Sequence, residues 1–368
     1  MRASQLDTPS LLVDLDRLEA NLDRMARLAR AADLQLRPHT KTHKTIEIAR
    51  MQVARGAAGI TVAKIGEAEV MAEAGIEDIF IAYPIVGTAK IERLVALAKR
   101  AADRSGKVAV GVDSTEVAAP LSMAFAHQGI RLPVLLEVDV GLHRCGVAPE
   151  EAPALARELN GLPGINLVGI FAYPGQVYAA RNENEVAGIA AFECRTMAQV
   201  AGRLANIAPL AKRISGGSTP TAAHYSAECG ITEIRPGTYV FNDRMQLERW
   251  SARPEDCALT VLATVVSTPE PGRAVLDAGS KALSPELARE AKGYGMLKED
   301  QGAVLVKLNE EHGFLDLSQA QVRFRIGDKV EVIPNHCCLV ANLFDEMIAV
   351  RKGEVVENWR VAGRGKLT

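Results

Sequence analysis

The segment "PHTKTHK", Pro38–Lys44, gathers two lysines and two histidines in seven residues. A lysine amine is a nucleophile that forms Schiff bases with carbonyl groups when its surroundings activate it. Most lysines are instead exposed charges. The segment follows an alternating apolar run and precedes a helix-like one, so Lys41 and Lys44 lie at the end of a predicted strand. Two interpretations are open at this point, a solvated basic turn and a reactive amine.

The segment "SGGSTPT" at 215–221 has the composition of a phosphate-binding loop. Gly216 and Gly217 allow backbone N–H groups to approach a ligand closely, and a following short helix would present its N-terminus. Ser218 and Thr219 add hydroxyl donors. The same residues suit an ordinary tight turn with a helix cap. The position of the loop after the seventh predicted strand, where barrel enzymes frequently hold phosphate, favours the phosphate cradle.

The lysine segment and the loop together predict one cofactor. The loop has no Walker lysine, so it suits a phosphorylated cofactor or substrate. A lysine at the end of the first predicted strand can serve as a Schiff-base amine. The economical prediction is pyridoxal 5′-phosphate (PLP).

A third segment, "PNHCC", contains a candidate metal site. His336 and Cys338 are two residues apart, so on an extended strand we expect both side chains on one face. Imidazole and thiolate together favour zinc or another borderline-soft metal, and two protein ligands leave positions for water and substrate. The alternative is a buried cysteine on a strand, because no second His/Cys pair has suitable spacing. Asp345 is either a partner of the ligands or a turn residue.

Eight short β-branched runs that alternate with helical patterns must position these segments. Runs that are apolar on both faces indicate a parallel sheet, and eight strand–helix units close a (β/α)8 TIM barrel. A doubly wound α/β sheet is the alternative, but no G-x-G-x-x-G follows the first strand. Carboxyl ends of barrel strands meet at one mouth, so the polar segments after five strands converge there. The runs are 34–38, 59–63, 78–83, 107–113, 133–139, 165–173, 211–217 and 232–241.

After about residue 250 the helical pattern stops. Short strands separated by Pro, Gly and charged turns predict a mostly antiparallel β domain. We expect a barrel domain over 10–250 and a β domain over 251–368, together with 1–9, that carries the metal site. The run "PSLLVDL" at 9–15 precedes the first barrel strand by a full helix and can pair with the second domain.

The composition excludes several classes of protein. The 368 residues include 43 Lys+Arg and 45 Asp+Glu, with a net charge of −2, which does not favour nucleic acid as a partner. The sequence shows no secretory signal and no run of roughly 20 apolar residues, so we expect a soluble cytoplasmic protein without a membrane partner. Six irregularly spaced cysteines do not form a disulfide framework.

Seven segments resemble one known family, in the same order along the chain. The resemblance is to D-threonine aldolases and D-serine dehydratases, the metal-dependent branch of the fold-type III, alanine racemase-like PLP enzymes. It extends from "DTPSLLVDLD" to "WRVAGRG" and implies a PLP barrel, a C-terminal β domain, a homodimer and a D-amino acid substrate. The segments are "RPHTKTHK", "EVDVGLHRCGV", "SGGSTPT", "TEIRPGTYVFND", "VLDAGSKALS", "EEHG" and "GDKVEVIPNHCC".

The resemblance also implies roles for single residues. Lys41 carries PLP, Arg144 lies near the PLP phenolic oxygen, and Tyr173 lies beside the ring. His336 and Cys338 bind a catalytic divalent metal, and the softer cysteine ligand favours zinc over manganese or magnesium. The residues implied for the phosphate group are Gly216, Gly217, Ser218 and Thr219, with a hydroxyl from Tyr239.

Two motifs bear on the reaction. Aldolases of the family tend to carry "GGGTG" and His-x-Asp, whereas dehydratases tend to carry "GSTPT" and His-x-Cys. This sequence has "GGSTPT" and "NHCC", which predicts a dehydratase of D-serine, D-threonine or 3-hydroxy-D-aspartate that gives a 2-oxo acid and ammonia. The alternative is a D-threonine aldolase that gives glycine and an aldehyde. The segment "CCLVANL" departs from the Pro-containing segment expected after the metal ligands.

Three other classes rank lower. An amino-acid racemase needs a second base and has no use for the metal that "NHCC" predicts. A single-domain PLP carrier would lack residues 250–368. A purely structural barrel would not need Lys41, Arg144 and a phosphate loop at one mouth.

Overall fold

The computed structural model describes every residue from Met1 to Thr368. In chain order the strands are β1 (Ser10–Asp14), β2 (Gln35–Leu36), β3 (Ile60–Val62), β4 (Asp78–Ile81), β5 (Lys107–Val112), β6 (Leu132–Glu137), β7 (Ile165–Phe171), β8 (Arg213–Gly216), β9 (Glu233–Ile234), β10 (Leu259–Glu270), β11 (Arg273–Leu276), β12 (Gly295–Leu297), β13 (Val304–Leu308), β14 (Gly313–Asp316), β15 (Lys329–Pro334), β16 (Glu346–Arg351) and β17 (Glu354–Arg360). The helices are α1 (Leu15–Ala31), α2 (Ile46–Ala54), α3 (Ile65–Glu73), α4 (Thr88–Ala102), α5 (Thr115–His127), α6 (Ala152–Asn160), α7 (Glu183–Leu204), α8 (Arg244–Glu248), α9 (Ser280–Leu283) and α10 (Cys337–Ala341).

Strands β2 to β9 form the predicted parallel barrel. Their order is β2-β9-β8-β7-β6-β5-β4-β3. The end strands are joined by backbone bonds: the N–H of Ala58 donates to the carbonyl of Leu36, and the N–H of Thr61 to the carbonyl of Pro38, both at 2.8 Å. The eighth barrel strand is shorter than the run at 232–241, because Pro236 has no N–H to donate to a neighbouring strand. A 3-10 turn, Thr238–Val240, follows.

Aromatic rings and buried charges share the barrel interior. Phe80 and Phe171 meet edge to face, with centroids 5.1 Å apart. Glu233 is 1% exposed, and its two carboxylate oxygens lie 2.6 Å from Arg37 Nε and 2.9 Å from Arg213 Nη2. Two guanidinium groups thus neutralise one carboxylate that would otherwise be costly to bury.

The remaining strands form a second sheet in the order β11-β14-β13-β12-β15-β10-β1-β16-β17. All neighbouring strands are antiparallel except β1 and β16, so the predicted mostly antiparallel domain is confirmed. Strand β1 lies between β10 and β16, the pairing anticipated for the run at 9–15.

By packing, the chain forms two compact units. The sheet unit comprises Met1–Arg24, Thr42–Glu47 and Thr238–Gly365, and the barrel unit comprises Met25–Lys41, Ile48–Gly237 and Lys366–Thr368. These limits differ from the predicted domain boundaries at residues 10 and 250. The reason is that β1 belongs to the second sheet and that residues from 238 onward pack with the same sheet. None of the helices is both long and apolar enough to span a membrane.

Candidate active site

Two residues predicted to contact PLP lie beside the aromatic ring of a third, Tyr173, in the barrel unit. Lys41, in the 3-10 turn Thr40–Thr42 that follows β2, has its Nζ 5.6 Å from the centroid of the Tyr173 ring. The guanidinium carbon of Arg144 lies 5.1 Å from the same centroid. An amine, a guanidinium and a phenol ring are therefore assembled within reach of one ligand.

The second lysine of the segment has different surroundings. Lys44 is only 7% exposed, and its Nζ donates to Asn342 Oδ1 at 2.8 Å within the sheet unit. Lys41 is partly exposed. A solvated basic turn therefore does not describe the surroundings of Lys44.

A capped turn places Arg144 after β6. Asp139 Oδ1 accepts N–H bonds from Gly141, Leu142 and His143 at 2.9 to 3.1 Å. Burial raises the pKa of Asp139, but the bonds from His143 and Gly141 outweigh it and hold the pKa below its ordinary value. His143 has a largely exposed side chain that contacts Asp139, so it belongs to the turn. Sequence reasoning missed Asp139.

Three groups that can bind cations lie near Arg144. Asp113, Glu137 and Cys145 each offer a ligand atom, and these atoms lie within 4.8 Å of one another. Burial raises the pKa of Glu137 to about 7, and the positive charge of Arg144 opposes the shift. Because a guanidinium already supplies positive charge here, we interpret the two carboxylates as counter-charges of Arg144. The sequence analysis did not anticipate this cluster.

The segment at 215–221 is a tight, buried turn at the end of β8. Gly217 has φ +82°, and a Cβ there would lie 3.1 Å from the Tyr225 ring, so the position requires glycine. The N–H of Ser218 donates to Thr221 Oγ1 at 2.9 Å, and Ser218 and Thr219 are both buried. A short 3-10 helix, Ala222–His224, follows where a helix was expected.

One N–H group of the glycine loop is bound within the protein. The N–H of Gly217 donates to Glu193 Oε1 at 3.0 Å. Tyr239 is buried in the 3-10 turn Thr238–Val240 of the sheet unit. The residues present fit PLP: Lys41 supplies an amine, Arg144 supplies a guanidinium group, and the glycine loop has no room for a Cβ.

The two predicted metal ligands meet in the sheet unit. The prediction of an extended strand is wrong here: β15 ends at Pro334, and His336 is the N-cap of α10. The side chains of His336 and Cys338 are nevertheless close enough to interact electrostatically, and Cys338 Sγ lies 3.3 Å from Thr42 Oγ1. Burial lowers the pKa of His336, but Cys338 and Glu286 outweigh it and raise the pKa to about 11.

Carboxylates surround this pair. His336 Nδ1 lies 2.6 Å from Glu286 Oε2, which leaves Nε2 as the ring nitrogen that could bind a metal. A carboxylate that orients the far nitrogen of a histidine is typical of metal sites. Buried Asp243 accepts the Cys337 N–H at 2.9 Å, and burial raises its pKa to about 6. These residues fit a divalent metal, whereas Asp345 pairs with Arg364 at the surface.

Comparisons with known proteins cover both parts of the chain. Residues 13–245 match the family "Alanine racemase, N-terminal domain" and residues 258–350 match the "Putative serine dehydratase domain". The D-threonine aldolase of Arthrobacter sp is 36% identical over 365 residues, which is 98% of this chain and 94% of that protein. The D-threo-3-hydroxyaspartate dehydratase of Delftia sp. (strain HT23) is 34% identical over 96% of this chain and 97% of its own.

A solved structure extends the likeness to three dimensions. The D-threonine aldolase of Filomicrobium marinum superposes with a TM-score of 0.91 at 32% identity, over 100% of this chain and 98% of that one. With two matching domain families and more than 30% identity to both an aldolase and a dehydratase over nearly the whole chain, the chain belongs to the alanine racemase-like, PLP-dependent lyases that act on D-β-hydroxy amino acids.

Proposed function

We propose that this lyase is a zinc-dependent dehydratase of D-β-hydroxy-α-amino acids, and that it converts D-serine, D-threonine or 3-hydroxy-D-aspartate to a 2-oxo acid and ammonia. The observation that carries the proposal is the placement of His336 and Cys338 at the start of α10, with Glu286 Oε2 at 2.6 Å from His336 Nδ1. An imidazole with a thiolate favours zinc, a Lewis acid suited to help a hydroxide leave. One solved form of a D-threo-3-hydroxyaspartate dehydratase, a cysteine-to-alanine variant, is metal-free.

Each residue has a role in this proposal. Lys41 holds PLP and moves the proton at the substrate Cα, and Arg144 donates to the PLP phenolic oxygen. When bound, PLP withdraws electrons from Cα, and the metal polarises the β-hydroxyl group. Ser218 and Thr219 bind the phosphate group, to which Tyr239 adds a hydroxyl.

The metal ligands are His336 and Cys338. Glu286 accepts from His336 Nδ1 and thereby fixes the ring so that Nε2 faces the metal. Asp243 holds the first turn of α10 through the Cys337 N–H, so it keeps Cys338 in place.

D-threonine aldolase activity is the second candidate. It is favoured by the 36% identity to the Arthrobacter enzyme and by the TM-score of 0.91 to the Filomicrobium enzyme. In this case deprotonation of the β-hydroxyl group would lead to cleavage between Cα and Cβ, giving glycine and acetaldehyde from D-threonine.

A single incubation separates the two candidates. The purified protein is supplied with PLP and zinc, then with D-threonine, and 2-oxobutanoate is measured in parallel with glycine and acetaldehyde. D-Serine and L-threonine are run alongside. Production of 2-oxobutanoate without glycine supports the dehydratase, glycine with acetaldehyde supports the aldolase, and equal turnover of L-threonine contradicts the D-specificity of both.

A further inference from the structure

Helix α7 carries a carboxylate on its buried face. Glu193 has no exposed surface and lies in line with Val186, Ala190, Met197 and Val200, which are also buried. An apolar side chain is expected at such a position. Burial of a carboxyl group is unfavourable unless hydrogen bonds satisfy it, so its partners indicate what the residue does.

Those partners all belong to the turn that follows β8. Glu193 Oε1 accepts the Gly217 N–H at 3.0 Å, and Oε2 accepts a short hydrogen bond from the Tyr225 hydroxyl. The Tyr225 oxygen also lies 2.8 Å from Thr221 Oγ1. Because Thr221 Oγ1 accepts the Ser218 N–H, both ends of the loop are connected to one carboxyl group.

The shape of the loop matches Glu193 as well. A Cβ at Gly216 would lie 2.6 Å from Glu193 Oε1, closer than any real Cβ contact. The carboxyl group therefore occupies the space beside the glycines, and a side chain at position 216 would displace it. Glycine at 216 and glutamate at 193 are complementary.

We infer that Glu193 is a positioning residue of the phosphate site: it holds the loop 216–221 in the shape that binds the phosphate group of PLP. It acts through Gly217 and Tyr225 and does not itself contact the cofactor. This inference rests on the proposed binding of the PLP phosphate at this loop.

Burial raises the pKa of Glu193 to about 7, and the bonds from Tyr225 and Gly217 oppose the shift. A neutral carboxyl oxygen still accepts the Gly217 N–H. Glutamine keeps that acceptor in the same place, whereas alanine removes it. The pair Glu193→Gln and Glu193→Ala therefore separates the hydrogen bond from the charge.

The test compares PLP with pyridoxal, which lacks the phosphate group. Dissociation constants of both are measured by absorbance titration of the cofactor-free protein. For Glu193→Ala we expect PLP affinity to fall about tenfold or more while pyridoxal affinity stays within about threefold, as expected for loss of a hydrogen bond to a carboxyl group. Glu193→Gln should have a PLP affinity within about threefold of the wild-type value. Glu183→Ala, an exposed position on the same helix, is the control and should match wild type.

Two outcomes overturn the inference: unchanged PLP affinity in Glu193→Ala, or an equal loss for PLP and pyridoxal, which means a general structural role. Circular dichroism verifies folding. If Glu193→Ala does not fold, Tyr225→Phe removes the second donor and should still weaken PLP more than pyridoxal. Failure of the wild-type protein to bind PLP at all contradicts the proposed function and with it the role of Glu193, whereas the two outcomes above contradict the role of Glu193 alone.

Discussion

Among single residues, the two lysines of Pro38–Lys44 allow the clearest test of which lysine is the reactive amine and which is only a buried structural residue. Lys41 Nζ lies near the Tyr173 ring, whereas Lys44 is held by Asn342. Lys41→Ala should lose the visible absorption band of lysine-bound PLP and all measurable activity, because no other amine takes its place. Lys44→Ala should keep the band. Spectra recorded after PLP addition and dialysis give the answer, and a persistent band in Lys41→Ala rejects the assignment.

The thiol of Cys338 provides a second prediction. Cys338→Ala should keep the PLP band, contain less zinc and lose most of its lyase activity, because one of two protein ligands is gone. Zinc content is measured by atomic spectroscopy after purification. Full activity of chelator-treated Cys338→Ala protein would exclude a catalytic role for the metal.

Glu137 makes stability depend on pH. Its pKa is raised from 4.5 to about 7 by burial, so between these values the folded protein binds more protons than the unfolded chain, and stability falls as pH rises. Glu137→Gln should therefore gain about 2–3 kcal/mol relative to wild type between pH 5 and pH 8. Urea unfolding of the cofactor-free protein measures the difference, and a constant difference across this range refutes it. Glu183→Gln, at an exposed position, should show no trend.

At the scale of elements, the periodicity of apolar residues predicted which strands exist but not where each of them ends. All eight barrel strands were predicted because buried parallel strands are short, apolar and separated by amphipathic helices. The pattern did not predict that Pro236 shortens the last strand, nor that Cys337–Ala341 is helical, because a five-residue apolar segment suits either structure.

Candidate site residues can be named from the sequence where residue type alone indicates chemistry. Lys41, His336 and Cys338 carry such a signal. Glu286 contacts His336, and Glu193 contacts Gly217 and Tyr225. These residues are far apart in sequence, and no local pattern encodes such contacts. The one available signal was a glutamate on the apolar face of α7.

The ion pairs inside the barrel permit a comparison of buried and exposed charges. Glu233→Gln leaves Arg37 and Arg213 without their carboxylate in a buried place, which should cost about 3–5 kcal/mol of unfolding free energy. Glu69→Gln removes a more exposed bond to Arg93 and should cost less than about 1 kcal/mol. Denaturant unfolding of both variants tests this prediction, and equal costs would contradict it.

For the whole molecule, the family resemblance predicts a homodimer. Size-exclusion chromatography with light scattering should give twice the 39.5 kDa mass of one chain. A mass of a single chain at micromolar concentration would contradict the prediction and would mean that one chain supplies every residue of its site.

The place of β1 in the sheet has a consequence for synthesis on the ribosome. Its residues Leu11, Leu12 and Val13 are at most 1% exposed, yet its partners β10 and β16 begin at Leu259 and Glu346. At about 5–20 residues per second, roughly 10–50 s pass before the first partner is translated. During that time the apolar strand β1 emerges from the ribosome before either of its neighbours has been made, so its pairing has to wait until the second domain is translated.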